Sequence, residues 1–202
     1  MKLLLENWRE YITEAAKTAE ELPEGVVVGV HKIGDERTWI QYEIEGEQNP
    51  DEGAKKSPIQ GRVSIMTTAA PCGDAWMVSS ARADDGWGPL LYDVAIEWAS
   101  WKAGGLTPDR RTVSKEARKV WKYYLNNRSD VESHQLDDLK NTLTPDDEDN
   151  CNQAVATKST VPVIGGLLSR DFASESNPMS KRYTKKPETM QKLLDTGKLL
   201  QT

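Results

Sequence analysis

Residues 75 to 111, AWMVSSARADDGWGPLLYDVAIEWASWKAGGLTPDRR, hold the densest grouping of residue types able to receive a ligand. Trp76, Met77 and Val78 form an apolar run suited to a buried strand, and Ser79 to Asp85 turn polar where that strand is expected to end. Gly86 and Gly88 permit backbone angles closed to residues with a Cβ, and Pro89 suits a first helical turn because its missing N–H would have no intrahelical partner there. A strand that feeds a helix through such a turn aims free backbone N–H groups at one spot. That is an anion site, so the segment reads as a cradle for phosphate or pyrophosphate. The alternative is a plain tight connection from strand to helix, since a lone glycine pair is a weak signal. Asp84 and Asp85 also repel an anion unless their carboxylates point away.

Elsewhere the chemistry is sparser. Asp109, Arg110 and Arg111 form a second cluster in the loop LTPDRR, with surface ion pairing as the plain alternative. His31 and His134 stand alone and read as structural; no Ser/His/Asp or Cys/His pattern follows from spacing. Cys72 and Cys151 are too few and too far apart for a zinc site or a disulfide framework, which implies reduced thiols and a cytosol-like compartment. The acidic run TPDDEDN at 144 to 150 lacks the glycine and terminal glutamate of an EF-hand loop, so it reads as a solvated face and no metal is expected. A net charge of -6 over 202 residues argues against bulk nucleic-acid binding, which needs Lys and Arg to neutralise phosphates. No apolar run approaches membrane-spanning length, and LLL at 3 to 5 is too short for a signal-peptide core.

The secondary structure around the glycine turn follows from periodicity. Leu90, Leu91, Val94, Ala95, Trp98 and Trp101 form one apolar helical stripe stopped by Gly104 and Gly105. Before it, GVVVGVHKIG and RTWIQYEIEG read as two strands of a meander joined at Gly34-Asp35, with Trp39, Gln41 and Glu43 opposed to Ile40, Tyr42 and Ile44. A third strand is expected over Ile59 to Thr67. Residues 1 to 22 read as an N-terminal amphipathic helix ended by Pro23, and 23 to 202 as a single α+β domain. Ser114 is expected to cap a helix through Asn127 that buries Val113, Ala117, Val120, Trp121 and Tyr124. Residues 129 to 160 read as a short helix and an exposed acidic loop, 161 to 168 as a strand or buried turn, 181 to 186 as a last strand and 188 to 200 as a terminal helix.

The order of strand, glycine turn, helix, short strand and second helix resembles the central part of the GNAT superfamily of acyl-CoA N-acyltransferases, over roughly residues 25 to 128. In that family an Arg/Gln-x-x-Gly-x-Gly/Ala loop opens a helix and holds the pyrophosphate of the cofactor. Arg82, Gly86 and Gly88 are the nearest equivalents, with the interval from Arg82 to Gly86 one residue longer than the family's. The resemblance implies a central, mostly antiparallel mixed sheet flanked by helices. It also implies a cofactor site at Arg82, Gly86, Trp87, Gly88 and Leu90, acetyl-CoA or another acyl-CoA as co-substrate, and an amine as acceptor. Trp121 falls where the family often has a catalytic tyrosine, and an indole cannot protonate a thiolate. Tyr124, which shares a helix face with Ala117 and Trp121, is the first substitute as general acid and Tyr123 the second. A catalytically degenerate binding or structural protein on the same fold is the alternative.

The stretches GPLLYD, LTPDRR and VSKEARKVW resemble bacteriophage proteins of this fold, and ENWREYITEA resembles the capsid-targeting segments of T-even-like phages, with Ile12-Thr13-Glu14 fitting their cleavage site. These likenesses imply a viral protein of the host cytoplasm and an association with the capsid.

Overall fold

The structure, a computed structural model, describes residues 16–46, 57–67, 75–109, 113–136 and 177–202. Its elements are β1 (Val26–Ile33), β2 (Arg37–Ile44), β3 (Gly61–Thr67), β4 (Trp76–Ala83), α1 (Gly88–Lys102), β5 (Leu106–Thr107), α2 (Lys115–Asn127), β6 (Val131–Gln135), β7 (Lys181–Lys185), α3 (Glu188–Asp195) and β8 (Leu199–Gln201). Short 3-10 turns lie at Ala19–Glu21 and Pro178–Ser180. The strands form one mixed sheet in the order β6-β7-β5-β4-β3-β2-β1-β8, so the class is α+β as the sequence implies. The chain divides into two compact units: Met1–Ile65 with Ser80–Ala95 and Pro187–Thr202, and Met66–Ser79 with Ile96–Lys186.

In the first unit, the alternating residues of β1 and β2 pair as an antiparallel hairpin through the turn at Gly34. The register sets Val28 opposite Tyr42, Gly29 opposite Gln41, Val30 opposite Ile40 and His31 opposite Trp39. One face is therefore apolar, with Val28, Val30, Ile40 and Tyr42 buried, each large side chain stabilising the unit by roughly 1.5–3 kcal/mol. The other face carries Gly29, His31, Trp39, Gln41 and Glu43. Leu91 of α1 packs against β3 and β2, because a Cβ on Gly61 would lie 2.8 Å from the Leu91 methyl and 3.0 Å from the Tyr42 ring.

Two expectations for this unit change. The terminal helix stops at Asp195, because the amides of Gly197 and Lys198 turn back to the carbonyls of Leu194 and Leu193 in a Schellman closure. The next residues then form β8, which pairs parallel with β1. Of the N-terminal segment, residues 1–15, including Ile12-Thr13-Glu14, lie outside the described residues. The described part holds one 3-10 turn with a capping box between Thr18 and Glu21, not a helix up to Pro23. This turn packs on the rest of the unit: the Lys17 amide donates to the Gly86 carbonyl at 2.9 Å, and Ala19 and Leu22 are buried.

In the second unit, β4 and β5 run parallel through Trp76↔Leu106 and Met77↔Thr107, and β7 lies antiparallel to β5 and β6. Ser114 caps α2 as expected, its hydroxyl accepting from the Ala117 amide at 3.1 Å. Trp121, Tyr124 and Tyr183 are buried together, and the Trp121 and Tyr183 rings stack at 4.9 Å. Residues 131 to 135, read from sequence as the start of a helix and acidic loop, form β6, with Val131 opposite Lys185 and Gln135 opposite Lys181. Polar composition hid it, since β6 draws its hydrogen bonds from a strand about fifty residues away in sequence. The acidic run at 144–150, the segment 161–168, both cysteines and Arg110 with Arg111 lie outside the described residues.

The two glycines of the turn differ. Gly86 has φ +81°, a left-handed conformation, whereas Gly88 is the first helical residue and a Cβ there would meet only the Ala83 methyl at 3.8 Å. Gly86→Ala is expected to cost about 1–2 kcal/mol, and Gly88→Ala to be neutral or stabilising by up to about 1 kcal/mol. Urea denaturation of both variants checks this; equal losses would contradict it.

Candidate functional site

The turn that joins β4 to α1 is held by Gln60, just before β3, and by Tyr42 of β2. The Asp84 amide donates to the Gln60 carbonyl at 2.8 Å, and the Asp84 carboxylate accepts from the Gln60 amide at 2.7 Å. That carboxylate is thus tied to the backbone before β3. The Trp87 amide closes on the Asp84 carbonyl at 3.0 Å, while the buried Trp87 ring meets Tyr42 edge-on at 5.5 Å. Burial pushes the Tyr42 phenol well above its ordinary value, so it stays protonated and donates to the Trp87 carbonyl at 2.7 Å. With the Trp87 amide consumed and no N–H on Pro89, the expected convergence of amides from Trp87 to Leu90 narrows to Gly88 and Leu90, which have no intrahelical acceptor. Leu90 is buried through its side chain, Gly88 is half-exposed, and Arg82 stands exposed near the end of β4. A fifteen-residue helix begins here, so its positive end and these two amides offer an anion site of modest size.

Tyr123 and Tyr124 belong to the other compact unit. Tyr124 is 2% exposed, its ring 6.2 Å from Trp121 and 5.9 Å from Tyr123, with the Arg128 guanidinium 5.2 Å from its centre. These contacts hold the ring in an aromatic core. Close by, Lys185 and Glu97 form a buried ion pair, and the Ser100 hydroxyl accepts from the Lys185 amide at 3.0 Å. Arg128 forks onto Asp130 with contacts of 2.7 and 2.6 Å, and Lys185 lies 3.7 Å from the same carboxylate. The Arg128 hydrogen bond, more than the charge of Lys185, holds Asp130 down to about 2. No cluster of metal-ligating side chains occurs among the described residues.

A different grouping occupies the polar face of the β1–β2 hairpin. The Thr202 hydroxyl lies 2.6 Å from His31 Nδ1, and His31 Nε2 meets Glu43 Oε1. Gln41 Nε2 donates to the same Glu43 oxygen at 2.8 Å, and Gln41 Oε1 accepts from Arg62 Nε at 2.5 Å. Arg62 also covers the Trp39 ring at 4.3 Å. Glycine at position 29 makes this approach feasible, since a Cβ there would lie 2.5 Å from both Glu43 Cδ and His31 Nε2. An ionised carboxylate only accepts, so Nε2 of the neutral ring carries the proton and Nδ1 turns its lone pair to the Thr202 hydroxyl. Hydroxyl, imidazole and carboxylate in series can move a proton off the hydroxyl.

The sequence reading set His31 aside as structural. The missed signal was in the alternation already seen: closing the hairpin at Gly34 puts His31 on the side of Gln41 and Glu43. Thr202 could not be foreseen, because a helix was expected where β8 forms. His134, the other lone histidine, lies 3.0 Å from the Thr184 hydroxyl, across the β6–β7 pair.

No family model matches the chain, and neither a curated protein nor a solved structure is found to match it.

Asp130 is ionised in the fold below its ordinary value near 3.8, so it contributes stability above that pH and loses it as pH falls toward 2. Acid unfolding followed by circular dichroism is expected to be shallower in Asp130→Asn over that window. An unchanged slope would remove Asp130 from the acid response.

Proposed function

We propose that the chain binds an acyl-CoA through the turn from Asp84 to Leu90 and transfers its acyl group to an amine, as a member of the acyltransferase superfamily it resembles. Supporting this, sheet neighbours β1 to β4, the first pair antiparallel, enter a glycine turn, a helix, a short strand parallel to β4 and a second helix, which is the order the resemblance requires. The observation that carries the reading is local. Gly86 is left-handed, and Gly88 opens α1 beside space that a Cβ would enter, so a pyrophosphate can reach the Gly88 and Leu90 amides. The repulsion expected from Asp84 is reduced by its bond to the Gln60 amide. Transfer then needs the amine deprotonated and held in line with the thioester carbonyl; the carbon–sulfur bond breaks as the carbon–nitrogen bond forms, and the thiolate takes a proton. Tyr124, then Tyr123, remain the proposed donors of that proton.

The core packing of Tyr124 beside Trp121 favours a second reading, in which the turn binds CoA or a related anion and no transfer follows. Under either reading, a bacteriophage origin, the host cytoplasm as compartment and a capsid contact through residues 1–22 stay proposals from resemblance. Among the described residues no helix is long and apolar enough to cross a membrane.

Calorimetric titration of the full chain with acetyl-CoA and with desulfo-CoA tests the proposal. Both ligands are expected to bind, and Gly88→Val to weaken binding by about tenfold or more, equivalent to about 1.4 kcal/mol, at an unchanged melting temperature. Absence of binding at millimolar ligand would overturn it. Binding without acyl transfer to any of a panel of amines would select the second reading.

A further inference from the structure

We propose that Thr202, His31 and Glu43 form an acyl-accepting site of their own, with the Thr202 hydroxyl as nucleophile, His31 as its base and Glu43 as the residue that positions the imidazole. The proposal does not rest on the CoA reading. It uses the face of β2 that carries Gln41 and Glu43, whereas the glycine turn is held from the opposite face by Tyr42.

Three observations carry it. First, the residue is held in place: the Thr202 amide donates to Val30 O and its carbonyl accepts from the Lys32 amide, both at 3.1 Å, and its Oγ1 lies 2.6 Å from Nδ1. Second, the tautomer is fixed, because Glu43 is 5% exposed, holds the Nε2 proton and is itself held by Gln41, which leaves Nδ1 as the acceptor. A merely structural histidine on an open sheet face needs neither a buried carboxylate behind it nor a glycine cut away beneath it. Third, the hydroxyl is exposed and flanked by apolar surface. Ile33 and Leu200 share this face by register and are 41% and 39% exposed, which suits a short apolar acyl chain. The substrate class is therefore an activated ester of an apolar carboxylic acid.

The step balances within these groups. Thr202 Oγ1 attacks the carbonyl carbon and forms a carbon–oxygen bond while its proton passes to His31 Nδ1. The bond to the leaving oxygen breaks, and His31 returns the proton to that oxygen. O-acyl threonine and an alcohol result; water attacking by the same route releases the acid and restores the site.

The test is incubation of the full chain with p-nitrophenyl butyrate, reading nitrophenolate release and locating the butyryl group by peptide mass spectrometry. The expected result is butyryl on Thr202, none at position 202 in Thr202→Val, and a rate at least about a hundredfold lower in His31→Gln. Glu43→Gln is expected to slow labelling and Glu43→Asp to restore part of it, which loss of packing would not do. Circular dichroism matched to the parent chain confirms that each variant folds. An unlabelled Thr202 in the parent chain, or labelling at the parent rate in folded His31→Gln, overturns the proposal.

Discussion

The antiparallel register of β1 against β2, with Gly29 opposite Gln41 and His31 opposite Trp39, decides which residues of the first unit meet on each face. Because side chains alternate with a period of two, a slip of β1 by one residue would send Val28 and Val30 to the open face and bury His31. The turn at Gly34 and the apolar burial below the hairpin both oppose that slip. With the register held, Tyr42 reaches the Trp87 carbonyl on one side while Glu43 reaches His31 on the other. Adjacent residues of one strand thus serve two separate places.

The cost of the polar side is borne by its neighbours. A carboxylate buried as far as Glu43 is destabilising unless its lone pairs are occupied, and the His31 and Gln41 donors supply that occupation. Gly29 gives up a side chain to make room, which weakens a strand interior by roughly 0.5–1 kcal/mol relative to alanine. The second unit handles charge differently. There Lys185 and Glu97 are both buried and satisfy one another between α1 and β7, an arrangement that gives little net stability but would be costly to break from one side.

Much of this was legible in the sequence where the signal is local. The alternation in β2, the glycine turn at Gly34, the stripe from Leu90 to Trp98 and the Ser114 cap each depend on residues within a few positions, and the elements stand as read. What failed depends on distant partners. Ser79 to Arg82 look like the end of a strand, yet β4 runs to Ala83 because β3 pairs with it irrespective of side-chain polarity. β6 and β8 are strands only through β7 and β1. The candidate site followed the same division. Gly86 and its turn could be seen directly, whereas the grouping of Thr202, His31 and Glu43 spans 171 positions and needed β8 to be placed first.

If Glu43 holds the Nε2 proton of His31, the neutral ring must be a single tautomer rather than the mixture an exposed imidazole shows in water. Two-dimensional 15N NMR of the imidazole, recorded on histidine-labelled chain at alkaline pH, reads this directly. A protonated Nε2 with an unprotonated Nδ1 is the predicted result. A ring protonated on Nδ1, or one exchanging freely between the two forms, would contradict the account of the polar face.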